Sequence, residues 1–138
     1  MIELKSATGK TYLTIQLDQK NKWLYNNWTG YVSTDNVRQG AISFLELLEE
    51  SDCSYSLTDN RELVGPWEKS LTWIRTDWIP AAKKAGLRYH AHVVNQDSFA
   101  EAAANKMITY TGDAFEMRVF TKLTDAQDWL QKKMLVAV

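Results

Sequence analysis

The sequence predicts an α/β domain in which a mixed, mostly parallel five-stranded sheet carries helices mainly on one face. Two observations support this fold class. Short segments with alternating apolar residues are followed by longer segments with helical periodicity, in the order ββαβαβαβα. A strand that rejoins its sheet after a helix does so by a right-handed crossover, so this order predicts parallel neighbours. The first two strands are predicted to form an antiparallel hairpin across a polar turn.

The strands are predicted from alternation. Leu13, Ile15 and Leu17 alternate with polar residues, which is typical of a half-buried strand. The segment from Trp23 to Trp28 follows a polar turn and completes the hairpin. The five predicted strands are 11–17, 23–28, 53–58, 88–94 and 115–120.

The helices are predicted from periodicity and from capping residues. Ser98 and Glu101 form a capping box, as do Thr124 and Gln127. The four predicted helices are 34–50, a Trp-rich helix from about Pro66 to a stop at Gly86, 98–107, and one that begins near Thr124. The apolar tail 135–138 is expected to add an edge contact or to fray.

The Trp-rich helix has one apolar face. Four of its residues recur at helical spacing and should face the sheet: Trp67, Leu71, Ile74 and Trp78. Pro80 removes a backbone donor and should kink the helix near Thr76. Trp73 falls on the outward face, where it either packs under a neighbouring loop or contacts a partner or ligand.

Composition predicts a single domain over residues 1–138 and excludes several classes of protein. Of the 138 residues, 45% are hydrophobic and 24% are charged, and the net charge of −1 argues against a non-specific nucleic-acid binder. No apolar run approaches the roughly 20 residues needed to cross a bilayer. The N-terminus lacks a signal-peptide core, and the single cysteine, Cys53, cannot form an internal disulfide, so a cytoplasmic location is expected.

Several motifs resemble those of the SpoIIAA-like proteins, a STAS/SEC14-like group of small bacterial domains. The motifs are Trp28-Thr29-Gly30, Leu57-Thr58-Asp59, the run WIPAAKKAGL over 78–87, and Trp129-Leu130. The resemblance implies a β-α superhelix with strands in nearly sequential order. It also implies a regulatory or protein-interaction role, since the better-known relatives are anti-sigma-factor antagonists. Their phosphorylated serine is not evident here, because Asn60-Arg61-Glu62-Leu63 follows Asp59.

Polar residues are predicted to gather where the parallel strands end, which is the usual place for a ligand in an open α/β sheet. The candidate binding residues at this rim are Asp59, Asn60, Arg61, Asn95 and Asp97. Arg61 could hold an anion that Asp59 orients. The alternative is that these residues are ordinary turn formers and helix caps.

His90 and His92 point to the same side of the fourth predicted strand and are weak candidates for a metal site, because such a site needs further ligands. The alternative is that both are hydrogen-bonded strand histidines. No cofactor is expected. The histidines fall on a predicted polar side of the sheet, together with Ser54, Ser56, Thr58, Glu116 and Arg118. That side is expected to be solvated or to form a homodimer or partner surface.

The leading prediction of function is a non-enzymatic cytoplasmic regulatory or protein-interaction module, since no phosphate-binding loop, dinucleotide fingerprint, nucleophile elbow or zinc-protease motif is found. One alternative is a small-ligand or lipid-binding domain that uses the rim near Asp59 and Arg61, together with Trp73. Another is an enzyme that uses Asp59 and Arg61, or His90 and His92.

Overall fold

Six strands form one sheet in which spatial order follows chain order. A computed structural model describes residues 1–136 of the chain. The strands are β1 (Ile2–Lys5), β2 (Thr11–Asp18), β3 (Trp23–Gly30), β4 (Tyr55–Leu63), β5 (Tyr89–Val93) and β6 (Glu116–Phe120). β1, β2 and β3 are antiparallel neighbours, and β3 to β6 run parallel. The mixed, mostly parallel α/β class and the sequential strand order are confirmed.

The sequence prediction lacks β1, and the sheet therefore has six strands rather than five. β1 pairs antiparallel with β2, with Ile2 opposite Ile15 and Leu4 opposite Leu13. It is an edge strand of four residues, and only Ile2 and Leu4 are half-buried. A pattern of only two apolar residues is too short to distinguish a strand from a polar terminus.

The helices follow the predicted order. They are α1 (Thr34–Ser51), the Trp-rich helix, α4 (Phe99–Thr111) and α5 (Leu123–Val136). The Trp-rich helix runs without a break from a 3₁₀ turn (Glu68–Ser70) through α2 (Leu71–Trp73) and a π turn (Ile74–Trp78) to α3 (Ile79–Ala85). α5 includes the first two residues of the predicted tail, both exposed, and the last two lie outside the described residues. No helix among residues 1–136 is both long and apolar enough to span a membrane.

The stop predicted for the Trp-rich helix is present, and a π turn occupies the position of the predicted kink. The π turn ends just before Pro80, which cannot donate a backbone hydrogen bond to the preceding turn. At the far end Gly86 is left-handed, with φ of 106°. The Leu87 amide donates to the carbonyl of Ala82, and the Gly86 amide donates to that of Lys83, which is the pattern of a Schellman ending.

Helices cover both faces of the sheet, although most lie on one. α1, the Trp-rich helix and α4 pack on the first face, where their apolar residues join Leu13, Ile15 and Leu24 in the larger core. α5 covers the second face, where Ala126, Trp129 and Leu130 meet strand residues in a smaller core. The prediction that helices lie mainly on one face is confirmed, and α5 is the exception.

The expectation of a solvated or partner-binding polar side is wrong. Ser56, Thr58, His90 and His92 are all buried, because they share the first face with the larger core and lie beneath its helices. Because β4 and β5 are covered on both faces, the alternation of polar and apolar residues along them does not show which face of the sheet is exposed to solvent. Glu116 and Arg118 are exposed and belong to the opposite face, since they pair with Tyr89 and Ala91.

The rim segment that begins at Asp59 is also different from the prediction. β4 continues to Leu63 and pairs with β3 as far as the pair Gly30 and Leu63. Asp59, Asn60 and Arg61 are therefore strand residues rather than loop residues. Asp and Asn are common in turns, but here their side chains bind partners within the sheet.

Gly40 allows α1 to approach the sheet, and replacing it by alanine should destabilise the fold. A Cβ at this position would overlap the Trp28 indole and lie 2.7 Å from Leu13 Cδ2. Overpacking of this kind costs about 1–3 kcal/mol, against the roughly 1 kcal/mol that alanine gains over glycine in a helix. We expect a net loss in the free energy of unfolding, measured by urea denaturation.

The matched control is Gln39→Ala, one residue earlier on the exposed side of α1. It should change the free energy of unfolding by less than about 0.5 kcal/mol. A Gly40→Ala variant that is as stable as the wild type would show that the helix does not depend on this close approach.

Candidate functional site

A cavity of about 80 Å³ lies between the first face of the sheet and the covering helices. Its walls are mainly apolar and come from β2, β3, α1 and the Trp-rich helix. They include Leu13, Trp28, Val37, Phe44, Ile74 and Trp78. The volume is several times the roughly 10–15 Å³ that one water molecule needs. The cavity is therefore large enough for a small molecule.

The π turn helps to shape this cavity. Ile74 and Trp78 are its first and last residues, and both contribute to the wall. A π turn inserts one extra residue into a helical turn, and such turns occur often at functional sites. The Trp78 ring is held in position by α1, because its indole nitrogen donates to the carbonyl oxygen of Ala41 at 3.1 Å. The predicted apolar stripe of the Trp-rich helix thus faces both the sheet and the cavity.

A group of buried polar side chains, here called the inner polar cluster, lies on the sheet beneath the helices. Its members are Asn26, Ser56, Thr58, Asn60, His90 and His92, each at most 5% exposed. All except Ser56 line the cavity. They come from β3, β4 and β5, whose parallel register sets Asn26 beside Thr58 and Thr58 beside His92.

The members of the inner polar cluster bind each other in pairs. Asn26 Nδ2 donates to Thr58 Oγ1 at 3.1 Å, and Asn60 Nδ2 lies 2.8 Å from His92 Nε2. Ser56 Oγ is hydrogen-bonded to His90 Nδ1. Each pair spans two neighbouring strands, so the parallel register decides which side chains can meet. The pairs satisfy only part of the hydrogen-bonding capacity of the cluster.

Four buried polar atoms that belong to residues lining the cavity have no hydrogen-bond partner. They are Asn26 Oδ1, Asn60 Oδ1, His92 Nδ1 and Trp67 Nε1. Trp67 stacks on His92, with ring centroids 5.8 Å apart and planes within 15°. Among the described residues the one other such atom is Nε1 of Trp129, a residue of α5 on the opposite face. A buried polar group without a partner costs about 1–3 kcal/mol, and four among the lining residues of one cavity is an unusual concentration.

Both histidines are held in the neutral form. Burial, assisted by the neighbouring His92, lowers the pKa of His90 well below its ordinary value. Burial also lowers the pKa of His92 to about 4, although the carboxylate of Asp59 acts in the opposite direction. Near pH 7 the inner polar cluster therefore carries no formal charge.

Asp59 and Arg61 form an ion pair with each other. Arg61 Nη2 donates to Asp59 Oδ2 at 2.8 Å and Arg61 Nε donates to Oδ1 at 3.0 Å. The hydroxyl of Tyr25 also donates to Asp59 Oδ2, at 2.8 Å. Burial alone would raise the pKa of Asp59, but these hydrogen bonds outweigh it and lower the pKa below its ordinary value. Both partners of the pair are engaged with each other.

The remaining rim candidates stabilise local structure. Asn95 Nδ2 donates to the carbonyl oxygen of Arg61 at 2.7 Å, which ties the end of β5 to β4. Asp97 is exposed with φ of 60°, and its amide donates to the side chain of Glu101 at the start of α4. The alternative interpretation of turn formers and caps describes these contacts. Of the predicted rim residues, the structure places Asn60 on the cavity wall.

Trp73 is half-buried rather than free on the surface. Its ring packs against the larger core, and the guanidinium of Arg38 on α1 lies 5.1 Å from its centroid. The structure therefore places a side chain of α1 over the outward face of the Trp-rich helix, and Trp73 does not line the cavity.

The two histidines lie together without further candidate ligands. Their ring centroids are 5.5 Å apart. Over residues 1–136 there is no group of three or more His, Cys, Asp or Glu side chains that could hold a metal ion. Asn60 rather than a carboxylate faces His92, so this pair is built for hydrogen bonding.

Sequence reasoning did not identify Asn26 or Trp67 as site residues. Asn26 interrupts a strand whose other inward residues are apolar, and such an interruption is the one available signal in the sequence. Helical spacing places Trp67 on the apolar face of the Trp-rich helix, and the structure shows it there. Its unpartnered indole nitrogen depends on the position of three separate chain segments, and periodicity carries no information about that.

Comparison with known proteins supports the fold. No protein-family profile matches the chain, and no curated protein matches it. A similar solved structure is that of an uncharacterised protein of the DUF3478 family with a SpoIIAA-like fold, from Shewanella loihica PV-4. The two chains are 21% identical with a TM-score of 0.58, and the match covers 86% of this chain and 91% of that chain. The SpoIIAA-like fold implied by the sequence motifs is thus confirmed.

The buried histidines should make stability depend on pH. Their pKa values are lower in the folded state than the ordinary value of about 6.5, so the unfolded chain binds more protons below that pH. Stability is therefore full above about pH 6.5 and declines as the pH falls toward 4. For His92 alone, the loss between pH 7 and pH 5 should be about 2 kcal/mol, measured by urea denaturation at the two values.

The double variant His90→Gln/His92→Gln is the control, because the chain has only two histidines. Its free energy of unfolding should change much less over the same interval. If wild type and double variant lose the same amount of stability, the pH dependence comes from other groups and the histidines are not held neutral.

Proposed function

We propose that this protein is a non-enzymatic domain that binds a small, partly apolar ligand in the cavity beneath α1 and the Trp-rich helix. The observation that carries this proposal is the concentration of four unpartnered buried polar atoms on residues that line one mainly apolar cavity. A ligand that fills the cavity would supply these partners and remove the cost of leaving them unsatisfied.

The energetic argument has a polar and an apolar part. Each hydrogen bond to an unpartnered buried atom recovers a penalty of about 1–3 kcal/mol. The apolar walls add roughly 25 cal/mol for each Å² of apolar ligand surface removed from water. A small ligand that satisfies both parts can bind measurably despite the loss of its translational freedom.

The proposed site differs from the rim considered in the sequence. Asp59 and Arg61 are paired with each other, so an anion there would have to compete with an existing ion pair. The lining residues that keep partial solvent exposure include Val32, Ala41 and Leu63. They lie on the β3–α1 connection, on α1 and at the end of β4, and mark the side from which a ligand can enter.

A regulatory or protein-interaction role, implied by the SpoIIAA-like resemblance, is a second candidate. One observation favours it: Tyr31, Val64 and Phe99 are large exposed apolar residues on or just after the connections that follow β3, β4 and β5. These connections share the edge of the sheet where parallel strands end. Solvated apolar side chains at one edge are typical of contact surfaces. If a partner protein contacts this edge, substituting serine for all three residues should abolish its binding.

Filling the cavity should abolish ligand binding. Val37→Phe adds a ring to the cavity wall, and Ala41→Leu adds a smaller group on the same helix. Fragments that bind the wild type should show saturation-transfer NMR signals, and these signals should fall at least tenfold with either variant. A fragment at 100 times its Kd should also stabilise the wild type by about 2.7 kcal/mol.

The matched control is Ile42→Phe, which adds a comparable ring on the exposed side of α1. It should bind fragments like the wild type. Urea denaturation of each variant establishes that it is folded. Equal binding by wild type and both filled variants would place the ligand elsewhere and refute the cavity as the site.

A further inference from the structure

We infer that the ligand of this cavity has an uncharged head group that both donates and accepts hydrogen bonds, such as a carboxamide or an alcohol, on a short apolar tail. This inference rests on the proposed function and specifies its ligand class. It follows from which atoms of the wall are unpartnered, from the charge of the wall and from the size of the cavity.

The free atoms on the wall include both donors and acceptors. Asn26 uses its amide nitrogen for Thr58, so its carbonyl oxygen is a free acceptor. The indole nitrogen of Trp67 can only donate. A ligand that matches this wall must therefore offer at least one donor to Asn26 and one acceptor to Trp67.

The pair of Asn60 and His92 has the same mixed character. Because Asn60 Nδ2 donates to His92 Nε2, the neutral ring carries its proton on Nδ1, which is a free donor beside the free oxygen of Asn60. If the amide of Asn60 were turned over, its oxygen would accept from Nε2–H, and the free atoms would be an amide donor and a ring acceptor. In both arrangements the pair presents one donor and one acceptor.

No charge is available to neutralise an ionised ligand. Within the part of the chain that the structure describes, no Asp, Glu, Lys or Arg side chain lines the cavity. The nearby Asp59 is in register with Val93, which belongs to the core under α5, and its carboxylate is already held by Arg61. With Asn60 Nδ2 on His92, a carboxylate or phosphate group would also approach the carbonyl oxygens of Asn26 and Asn60. Burying an unpaired charge costs far more than burying a neutral polar group.

The volume limits the size of the tail. An apolar cavity of about 150 Å³ admits benzene, and this cavity is about half as large. Scaled from the six carbon atoms of benzene, it holds roughly three non-hydrogen atoms, so the tail of a larger ligand would have to extend past Val32, Ala41 and Leu63 toward solvent. Four-carbon compounds are suitable probes, because they can place the head group in the cavity while the tail reaches this opening.

The test compares four probes with four carbon atoms each and different heads: butyramide, butan-1-ol, butyrate and butylammonium. Binding to the wild-type protein at pH 7 is measured by intrinsic tryptophan fluorescence and by isothermal titration calorimetry. Butyramide and butan-1-ol should bind at least tenfold more tightly than butyrate and butylammonium. Binding of the neutral probes should be lost in Val37→Phe and kept in Ile42→Phe.

A second variant tests the assigned head-group contacts. Asn26→Leu/Thr58→Val replaces one hydrogen-bonded pair by apolar side chains of similar size, so it should remain folded. It should lose at least fivefold in affinity for butyramide while the affinity of 1-chlorobutane, a probe without a hydrogen-bond donor, is kept. Unchanged preference for butyramide in this folded variant would overturn the inference.

The two levels of the proposal fail differently. If butyrate or butylammonium binds as tightly as butyramide and Val37→Phe abolishes that binding, the neutral-head inference is wrong and the cavity remains the binding site. If none of the five probes binds the wild type more tightly than it binds Val37→Phe, the proposed function is wrong and the inference falls with it.

Discussion

The burial of β4 and β5 on both faces is the constraint on which the rest of this structure depends. Side chains of these strands that would normally reach water are covered by helices on either side, so polar residues there must find partners within the protein. Register decides which partners are available. Thr58 meets Asn26 on one side and lies beside His92 on the other, and the neighbouring strands therefore have to supply matching polar groups at the same level.

Two tryptophans of the helical layer pack on the histidines of the inner polar cluster. Trp67 stacks on His92, and the edge of Trp78 meets His90 with centroids 6.3 Å apart. The two indoles differ in one respect that bears on function. Trp78 donates its N–H to a backbone carbonyl and is satisfied, whereas the N–H of Trp67 has no partner. Trp78 is thus a structural residue, and Trp67 retains a hydrogen-bonding capacity that packing does not use.

Local pattern predicted the elements of this fold well and their environment poorly. Capping at Ser98 and the stop at Gly86 are decided by residues within one or two turns, so the sequence alone identifies them. Whether a side of the sheet faces water depends on how many helices cover it, which is a property of distant segments. Alternation therefore predicts a polar surface for His90 and His92, although both are buried. It does not reveal β1, because two apolar residues are too few to show a period.

The distinction between closed and open polar groups decides which part of this sheet can bind. Along β4, Asp59 and its neighbour Asn60 point to different environments. The carboxylate of Asp59 accepts hydrogen bonds from Arg61 and Tyr25, so a ligand there would gain little and would have to break existing bonds. The amide of Asn60 keeps one oxygen without a partner on the wall of an apolar cavity, where a new hydrogen bond replaces no old one. The sequence favours the charged residues Asp59 and Arg61 as binding candidates. The free energy available for binding a ligand lies instead with the neutral residue between them, Asn60.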